Sequence, residues 1–276
     1  KNSTDNKINQ YFSSNLEHQN ISTLEQPYSS NLEHQNISKL NNLINEQKKG
    51  FKIKILPDKS KLIGYFNNDN LISEFVIHKN EIKNNIYLGN MVNNLANGIG
   101  FYKENNNSAY QGYFTNSKQD IFGIETWSKC NEYLGEFKNG QKTGYGLLNI
   151  ENKGYYEGQF ENGYINGIGS FYFNDGRKYE GMWKNNKLHG YGIIHWPDLI
   201  SFEGEFYNDA KQGFGIYFSK LKVFMGYWKN SVLDGKVIVV ENGKKKKQLW
   251  KNGKAVQMLS KETFIDFESI ADRIFP

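Results

Sequence analysis

The sequence predicts an all-β protein built as an array of β-hairpins, and two periodic features carry this prediction. Aromatic residues recur every 23 residues, with one final step of 22: Tyr87, Tyr110, Tyr133, Tyr156, Tyr179, Phe202 and Phe224. Each is followed two residues later by a glycine: Gly89, Gly112, Gly135, Gly158, Gly181, Gly204 and Gly226. Self-similarity at a fixed period of about 20–50 residues indicates repeated copies of one supersecondary unit.

Two further features keep the same step. A bulky apolar residue comes two residues after each of these glycines: Met91, Phe114, Phe137, Phe160, Trp183, Phe206 and Trp228. A G-x-G pair then follows in five repeats: Gly98/Gly100, Gly144/Gly146, Gly167/Gly169, Gly190/Gly192 and Gly213/Gly215. The repeat from Tyr110 keeps only Gly123, with Ile121 at the partner position, and the last repeat keeps only Gly235. We interpret the weak Tyr110 repeat as drift, with a bend or a partner contact as the alternative.

The repeat from Tyr179 shows how one unit is expected to fold. A two-residue period places Tyr179, Gly181 and Trp183 on one face of a strand. Lys184–Lys187 is polar and predicts a turn, and the β-rich segment Gly190–Trp196 predicts the returning strand. Glycine inside a strand marks a close approach of backbone or rings. We therefore expect the glycines to make room for aromatic rings from neighbouring strands, which stack from repeat to repeat.

The spacing Y-x-G-x-[FW]-x(6)-G-x-G, as it stands at Tyr156–Gly169 and Tyr179–Gly192, resembles the MORN repeat family. The resemblance covers roughly residues 62–254, with about seven recognisable repeats and a degenerate one at each end. It implies an elongated, twisted antiparallel sheet of stacked hairpins. It also implies attachment to a protein or a membrane rather than catalysis.

The chain is expected to divide into four regions. Residues 1–38 are polar and carry an identical copy of Ser13–Ser22 at Ser29–Ser38. This predicts disorder, with a duplicated linear interaction motif as the alternative. Residues 39–86 are expected to form an N-terminal cap with a short helix and a degenerate repeat, and residues 87–245 form the array. Residues 246–276 hold a degenerate last repeat and a C-terminal helix.

The two end regions allow more detailed predictions. In the N-terminal cap, Leu62-x-Gly64-x-Phe66 is a degenerate repeat opening, and Leu71–His78 is its returning strand. At the other end, Ser260–Phe275 predicts a helix, because Ser260 is a good N-cap and the apolar residues fall on one face. We expect this helix to cap the last open repeat. The alternative is a free amphipathic helix that docks a partner or a second copy of the chain.

Composition restricts the class of protein. The chain has 276 residues, a net charge of +5 and a pI near 8.9, which permits contact with acidic partners without requiring it. The single cysteine, Cys130, excludes an internal disulfide and fits a reducing compartment. No apolar run of about 18 residues and no signal peptide are visible, so we expect a cytoplasmic protein, peripheral to a membrane at most. Asn and Lys are abundant, which we attribute mainly to coding bias.

The sequence contains no residue set that indicates catalysis. His189 and His195 are close, but nothing nearby completes a metal site, so we predict neither metal nor cofactor. The G-x-G pairs lack the third glycine and the helix of a dinucleotide loop. Plant phosphatidylinositol-phosphate kinases and some histone lysine methyltransferases carry similar repeats, but we find no kinase motif and no room for a methyltransferase domain. We therefore predict that the chain is not an enzyme. Because its aromatic residues follow the structural period, we also predict no nucleic-acid binding.

The leading functional hypothesis is a non-catalytic scaffold that binds a partner protein, in the cytoskeletal or ciliary assemblies that the resemblance suggests. A helix or extended segment of the partner would lie in a groove of the sheet, anchored by apolar side chains. The candidate residues are on the returning strands: Tyr145, Ile168, Tyr191 and Phe214. Core packing is the alternative interpretation of these four residues. The chain's own C-terminal helix is an alternative occupant of the groove.

The second hypothesis is a membrane-attachment module that binds acidic phospholipids. Its candidate residues form a charge run: Lys244, Lys245, Lys246 and Lys247. Clustered lysines contribute about 1 kcal/mol each near an anionic surface, and a simply solvated run is the alternative. Turn lysines such as Lys184, Lys187 and Lys211 would add to this site, and such binding should weaken with salt. A third hypothesis is a subunit of a large fixed assembly, such as an axonemal complex, with no independent ligand.

Overall fold

The computed structural model describes residues 50–67, 70, 71, 73, 75–128 and 130–260. The chain divides into two units, residues 1–51 and 52–276, and the description below concerns the second. The described residues are organised in twenty β-strands and contain no helix. The predicted disorder of residues 1–38, the predicted helix within residues 39–49 and the predicted helix Ser260–Phe275 lie outside the described residues.

Four strands precede the array. They are β1 (Phe51–Ile55), β2 (Lys61–Asn67), β3 (Asn70–Leu71) and β4 (Val76–Asn80). Leu62 and Phe66 of β2 are buried, as the degenerate repeat predicts. The predicted single returning strand over Leu71–His78 is wrong, because β3 and β4 pair separately with the two ends of β2.

The array follows the predicted order of strand, turn and returning strand. Its strands are β5 (Asn85–Val92), β6 (Leu95–Lys103), β7 (Ala109–Thr115), β8 (Lys118–Trp127), β9 (Asn131–Lys138), β10 (Gln141–Ile150), β11 (Gly154–Glu161), β12 (Tyr164–Phe173), β13 (Lys178–Lys184), β14 (Lys187–Trp196), β15 (Ile200–Tyr207), β16 (Ala210–Phe218), β17 (Lys222–Lys229), β18 (Val232–Glu241), β19 (Lys244–Lys251) and β20 (Lys254–Met258). From β4 to β20 each strand pairs antiparallel with the next. The hairpin array is therefore confirmed.

The hairpin turns along one edge of this sheet begin with asparagine. Among the described residues, eight two-residue turns along this edge begin with asparagine, and a ninth, Asn242-Gly243, lies at the opposite edge. The eight are Asn93-Asn94, Asn116-Ser117, Asn139-Gly140, Asn162-Gly163, Asn185-Asn186, Asn208-Asp209, Asn230-Ser231 and Asn252-Gly253. Both residues of every turn have positive φ, the geometry of a type I′ hairpin turn. Asparagine adopts this left-handed conformation more readily than other non-glycine residues. The asparagines of these turns therefore have a conformational role.

One face of the sheet, which we call the aromatic face, carries the repeat-defining rings. Tyr133 and Tyr156 are fully buried, and each ring contacts one ring of its own repeat and one of the next. Tyr156 lies 5.3 Å from Phe160 and 5.4 Å from Trp183, ring centroid to centroid, both edge to face. The same alternation continues from Tyr87 to Trp228. Each edge-to-face pair contributes roughly 0.5–1.5 kcal/mol beyond its buried area. The predicted packing of rings from repeat to repeat is therefore confirmed, but the rings meet edge to face instead of stacking.

The glycines make room for the ring of their own hairpin, so the predicted room for a ring from the neighbouring strand is confirmed for the second glycine of each G-x-G pair. Gly158 and Gly169 face each other across the hairpin of β11 and β12. A Cβ atom on Gly169 would lie 2.5 Å from Cε2 of Tyr156, which no packing adjustment of a buried ring accommodates cheaply. The tyrosine hydroxyl then donates a hydrogen bond of 3.0 Å to the carbonyl of Gln159, at the point where the β-bulge shifts the register.

Candidate functional site

The sheet face opposite the rings carries an exposed apolar row, which we call the outer stripe. It consists of the residue between the two glycines of four G-x-G pairs together with two cross-strand neighbours: Ile99, Tyr113, Tyr145, Ile168, Met182 and Tyr191. The predicted partner-binding residues Tyr145, Ile168 and Tyr191 are 56%, 63% and 52% exposed. Core packing, the alternative interpretation, therefore does not apply to these three residues.

Phe214, the fourth predicted residue, has different surroundings. It packs beside a buried cluster on the outer face, formed by Ile216, Met225, Ile238 and Val240, and its ring lies 5.9 Å from that of Tyr227. Leu259, near the end of the described chain, packs against the same cluster. The outer stripe is thus exposed between β6 and β14, except at the half-buried Phe122 of β8, and gives way to packed side chains at β16.

Carboxylates border the outer stripe. Glu136 and Glu205 lie directly across from Phe122 and Tyr191 in neighbouring strands. The Tyr191 hydroxyl donates to Glu203, and burial, followed by this hydrogen bond, raises the pKa of Tyr191 to about 12. Around Tyr145 the surface forms an open cleft of about 560 Å3 lined by Glu136, Gln159 and Glu161. The outer face therefore combines apolar anchors with negative charge.

The predicted lipid-binding lysines do not form one patch. They lie on β19, where successive side chains point to opposite faces. Lys244 and Lys246 pair with residues of the aromatic face, whereas Lys245 and Lys247 pair with Val240 and Ile238 of the outer face. Lys246 also forms an ion pair of 2.9 Å with Glu241. Lys184 and Lys187 flank an asparagine turn and are exposed.

Lys211 occupies an unexpected place, because it lies inside the aromatic face rather than in a turn. Its Nζ lies 4.8–5.2 Å from four ring centroids: Trp196, Phe202, Tyr217 and Trp228. Burial lowers the pKa of this amine. An ammonium over the face of an aromatic ring is stabilised by the ring quadrupole, so the four rings compensate part of the desolvation cost. Among the described residues, Lys211 has no carboxylate partner.

Lys142 stands at the same repeat position as Lys211, three repeats earlier, and also points into the aromatic face. Its Nζ lies 4.8 Å from the Trp127 centroid and 5.1 Å from that of Tyr133. It forms an ion pair with Glu125, whose side chain is about a quarter exposed. Glu125 itself stands where the next repeats place Leu148 and Phe171. An opposite pair of charges has thus replaced two apolar residues.

The repeat from Tyr110 is the irregular one in the structure as well. Ile121 has a φ of 59°, although it is β-branched and stands where other repeats have glycine. Gln119 takes the repeat position of Lys142, and its amide donates to Glu125 at 3.1 Å. Beside it lies a cavity of about 240 Å3, lined by Tyr102, Glu104, Ser108, Ala109, Tyr110, Gln119, Glu125, Thr126 and Trp127.

A serine, a histidine and an aspartate also meet before the array. The Ser60 hydroxyl lies 2.6 Å from Oδ1 of Asp58 and 2.8 Å from Nε2 of His78. Serine is the middle member, whereas a nucleophilic triad places histidine between the serine and the acid. Ser60 is also fully buried. The cluster joins β4 to the loop before β2, and burial lowers the pKa of His78 although Asp58 opposes that shift.

The described residues lack two further kinds of feature, a metal site and a membrane-spanning helix. In that part of the chain, no three His, Cys, Asp or Glu side chains are grouped so as to hold a metal ion. Nor does it contain a helix long and apolar enough to cross a membrane.

Sequence reasoning missed the two inward lysines and the cavity. The sequence does contain a signal for these features, because Gln119, Lys142 and Lys211 occupy the repeat position that Ile165 and Leu188 occupy in the regular repeats. Aligning the second residue of each returning strand would have shown the polar substitutions. Their inward direction depends on the bulge and on the ring positions, which spacing alone does not define.

Comparison with known proteins locates the repeats. A solved structure with a similar chain is the SAS-4 (dCPAP) TCP domain in complex with a proline-rich motif of Ana2 (dSTIL) of Drosophila melanogaster. It is 12% identical, with a TM-score of 0.31, and the match covers 55% of this chain and 86% of that one. No curated protein sequence matches the chain significantly. The MORN repeat model matches residues 133–152, 156–176, 179–199 and 202–220. Residues 133–220 of this chain are therefore four consecutive MORN repeats.

Proposed function

We propose that this chain is a non-catalytic scaffold that binds a partner protein on the outer stripe. The observation that carries the proposal is the row of exposed apolar side chains at the 23-residue step, above all Tyr145, Ile168 and Tyr191. A contiguous exposed apolar patch marks an interaction surface more often than isolated apolar residues do. Tyrosine and methionine are enriched at such interfaces, since they contribute large contact areas.

The charge on this face defines the partner further. Glu136, Glu161 and Glu205 border the stripe, so the complementary segment carries apolar anchors with lysine or arginine beside them. Consecutive repeats offer equivalent anchor sites along the sheet, which suits an extended strand or helix. The cytoskeletal or ciliary setting remains a prediction from the MORN resemblance, and the cytoplasmic location remains a prediction from the composition of the sequence.

The experiment is a set of binding assays with matched variants. The stripe variant Tyr145→Ser/Ile168→Ser/Tyr191→Ser is compared with Leu199→Ser/Leu221→Ser, which removes exposed apolar side chains from turns. We expect proteins captured by the wild type to be lost with the stripe variant and kept with the turn variant, at low and high salt. Equal capture by both variants would contradict the proposal.

The membrane alternative is tested by sedimentation with vesicles that contain phosphatidylserine. Binding that disappears with salt and in Lys244→Gln/Lys245→Gln/Lys246→Gln/Lys247→Gln would support lipid attachment in place of a protein scaffold. The alternation of these lysines between two faces, together with the carboxylates on the outer face, favours the protein partner.

A further inference from the structure

Two later repeats carry a lysine at the position equivalent to Gln119, and both lysines lie among aromatic rings. In the repeats from Tyr133 and Phe202 this position is Lys142 and Lys211, and both amines lie among aromatic rings. These two repeats show that a cationic side chain fits at this position of the aromatic face. In both places the group is a lysine ammonium.

In the repeat from Tyr110 the same position leaves a space. The glutamine side chain is shorter than lysine and is held by Glu125, and a cavity of about 240 Å3 lies beside it. That volume is below the roughly 300–1,000 Å3 of pockets for drug-sized ligands or cofactors, and it suits a single side chain.

The lining of the cavity is suited to a cation. Tyr102, Tyr110 and Trp127 contribute aromatic rings. Glu104 stands at the repeat position of Trp127 and Trp196, so a carboxylate takes the place of a ring that borders the lysines. Glu125 also lines the cavity, but Lys142 of the following repeat and the Gln119 amide already bind this carboxylate. The cavity therefore combines the two groups that attract an ammonium, aromatic faces and negative charge.

We propose that this cavity binds a lysine side chain of a partner protein. The lysine would insert from solvent into the place that Lys142 and Lys211 fill from within the chain. This site lies on the aromatic face, opposite the outer stripe. Binding at this site is therefore independent of the proposed function of the outer stripe.

The test is an NMR titration of the full chain with Nα-acetyl-lysine N-methylamide, observed at the indole N–H of Trp127. We expect saturable shifts at Trp127 and at the rings of Tyr102 and Tyr110. Nα-acetyl-norleucine N-methylamide, which has a similar apolar chain but no charge, should produce no comparable shifts. Equal shifts with both compounds, or no saturable shift with the lysine compound, would overturn the proposal.

Two variants locate the binding. Gln119→Lys should fill the cavity from within and weaken binding by about tenfold or more, with the fold verified by thermal melting. Gln111→Lys adds the same charge on the outer face of the same repeat and should leave the shifts unchanged. Undiminished binding by Gln119→Lys would place the ligand elsewhere and refute the site. The stripe variant Tyr145→Ser/Ile168→Ser/Tyr191→Ser should bind the lysine compound normally.

Discussion

The repeat from Tyr156 and the repeat from Tyr110 have the same hairpin but different interiors. In the first, the aromatic face beyond the tyrosine is filled by Ile165 and Phe171, both buried. In the second, the same positions hold Gln119 and Glu125, and a cavity lies beside them. Both tyrosines nevertheless lie over paired glycines and bond to the bulge carbonyl. The comparison teaches that the tyrosine and glycine pairs define the hairpin, while the remaining inward positions are free to take polar residues.

The largest difference in stability between the two repeats should come from truncating the side chain at one equivalent position, which is Ile165 in the first repeat and Gln119 in the second. Ile165→Ala removes a buried side chain and should lower the free energy of unfolding by about 2–4 kcal/mol. Gln119→Ala stands beside an existing cavity and should cost less than about 1 kcal/mol. Urea denaturation of both variants measures this. Equal losses would mean that the two interiors are packed alike.

The packing of the tyrosine ring over a glycine is common to the two repeats, so substitution of that glycine should destabilise both repeats to a similar extent. Gly169→Ala and Gly123→Ala each place a Cβ atom 2.5 Å from Cε2 of the tyrosine of their hairpin, and each should destabilise by about 2–3 kcal/mol. Gly163→Asn is the control, because Gly163 has no neighbour within 4 Å and asparagine tolerates its positive φ. Thermal unfolding distinguishes the three. A tolerated Gly123→Ala would show that the Tyr110 repeat does not depend on this packing.

The ion pair of the irregular repeat should behave as a unit. Glu125→Leu and Lys142→Ile each leave one charge among rings, and each should cost about 1–2 kcal/mol. The double variant restores the apolar types that the repeats from Tyr133 and Tyr156 carry at these positions, Leu148 and Ile165, and should be more stable than either single variant. A double-mutant cycle from urea denaturation gives the coupling energy. Additive losses would argue against a specific pair.

Backbone strain at Ile121 should give a smaller effect of opposite sign. Ile121→Gly relieves a β-branched residue from left-handed backbone and should raise stability by about 1 kcal/mol. The reverse change at the regular position, Gly144→Ile, should destabilise, since Gly144 has a φ of 58°. Differential scanning calorimetry compares the two. A destabilised Ile121→Gly would show that the exposed isoleucine side chain contributes packing that outweighs the strain.

The smallest expected effect concerns His78, which lies on β4 before the array and outside both repeats. Burial lowers the pKa of His78 below its ordinary value of 6.5, so the unfolded chain binds this proton more tightly than the folded chain. The stability that the neutral histidine contributes is present above about pH 6.5 and is lost as the pH falls through the lowered pKa. The melting temperature of the wild type should therefore fall more between pH 7 and pH 5 than that of His78→Gln. Parallel curves would remove His78 from the acid response.

The sequence by itself determined the hairpin, its period and the residues that define it, because each depends on local chemistry. The two-residue alternation of tyrosine, glycine and phenylalanine or tryptophan assigns a strand and a face. The asparagine turns need positive φ, which few residues tolerate. The sequence also predicted Tyr145, Ile168 and Tyr191 as a row, since the same position of each repeat must lie on the same face.

The tertiary structure alone decided what lies inside and outside at the exceptional positions. Whether Lys211 is a turn lysine or a buried amine depends on four rings brought together from β14 to β17. Whether four consecutive lysines form one patch depends on how β19 pairs with β18, which places them on two faces. The cavity beside Gln119 exists because residues from three strands fail to fill a space that the other repeats fill. Such features arise from contacts between repeats, and no single repeat encodes them.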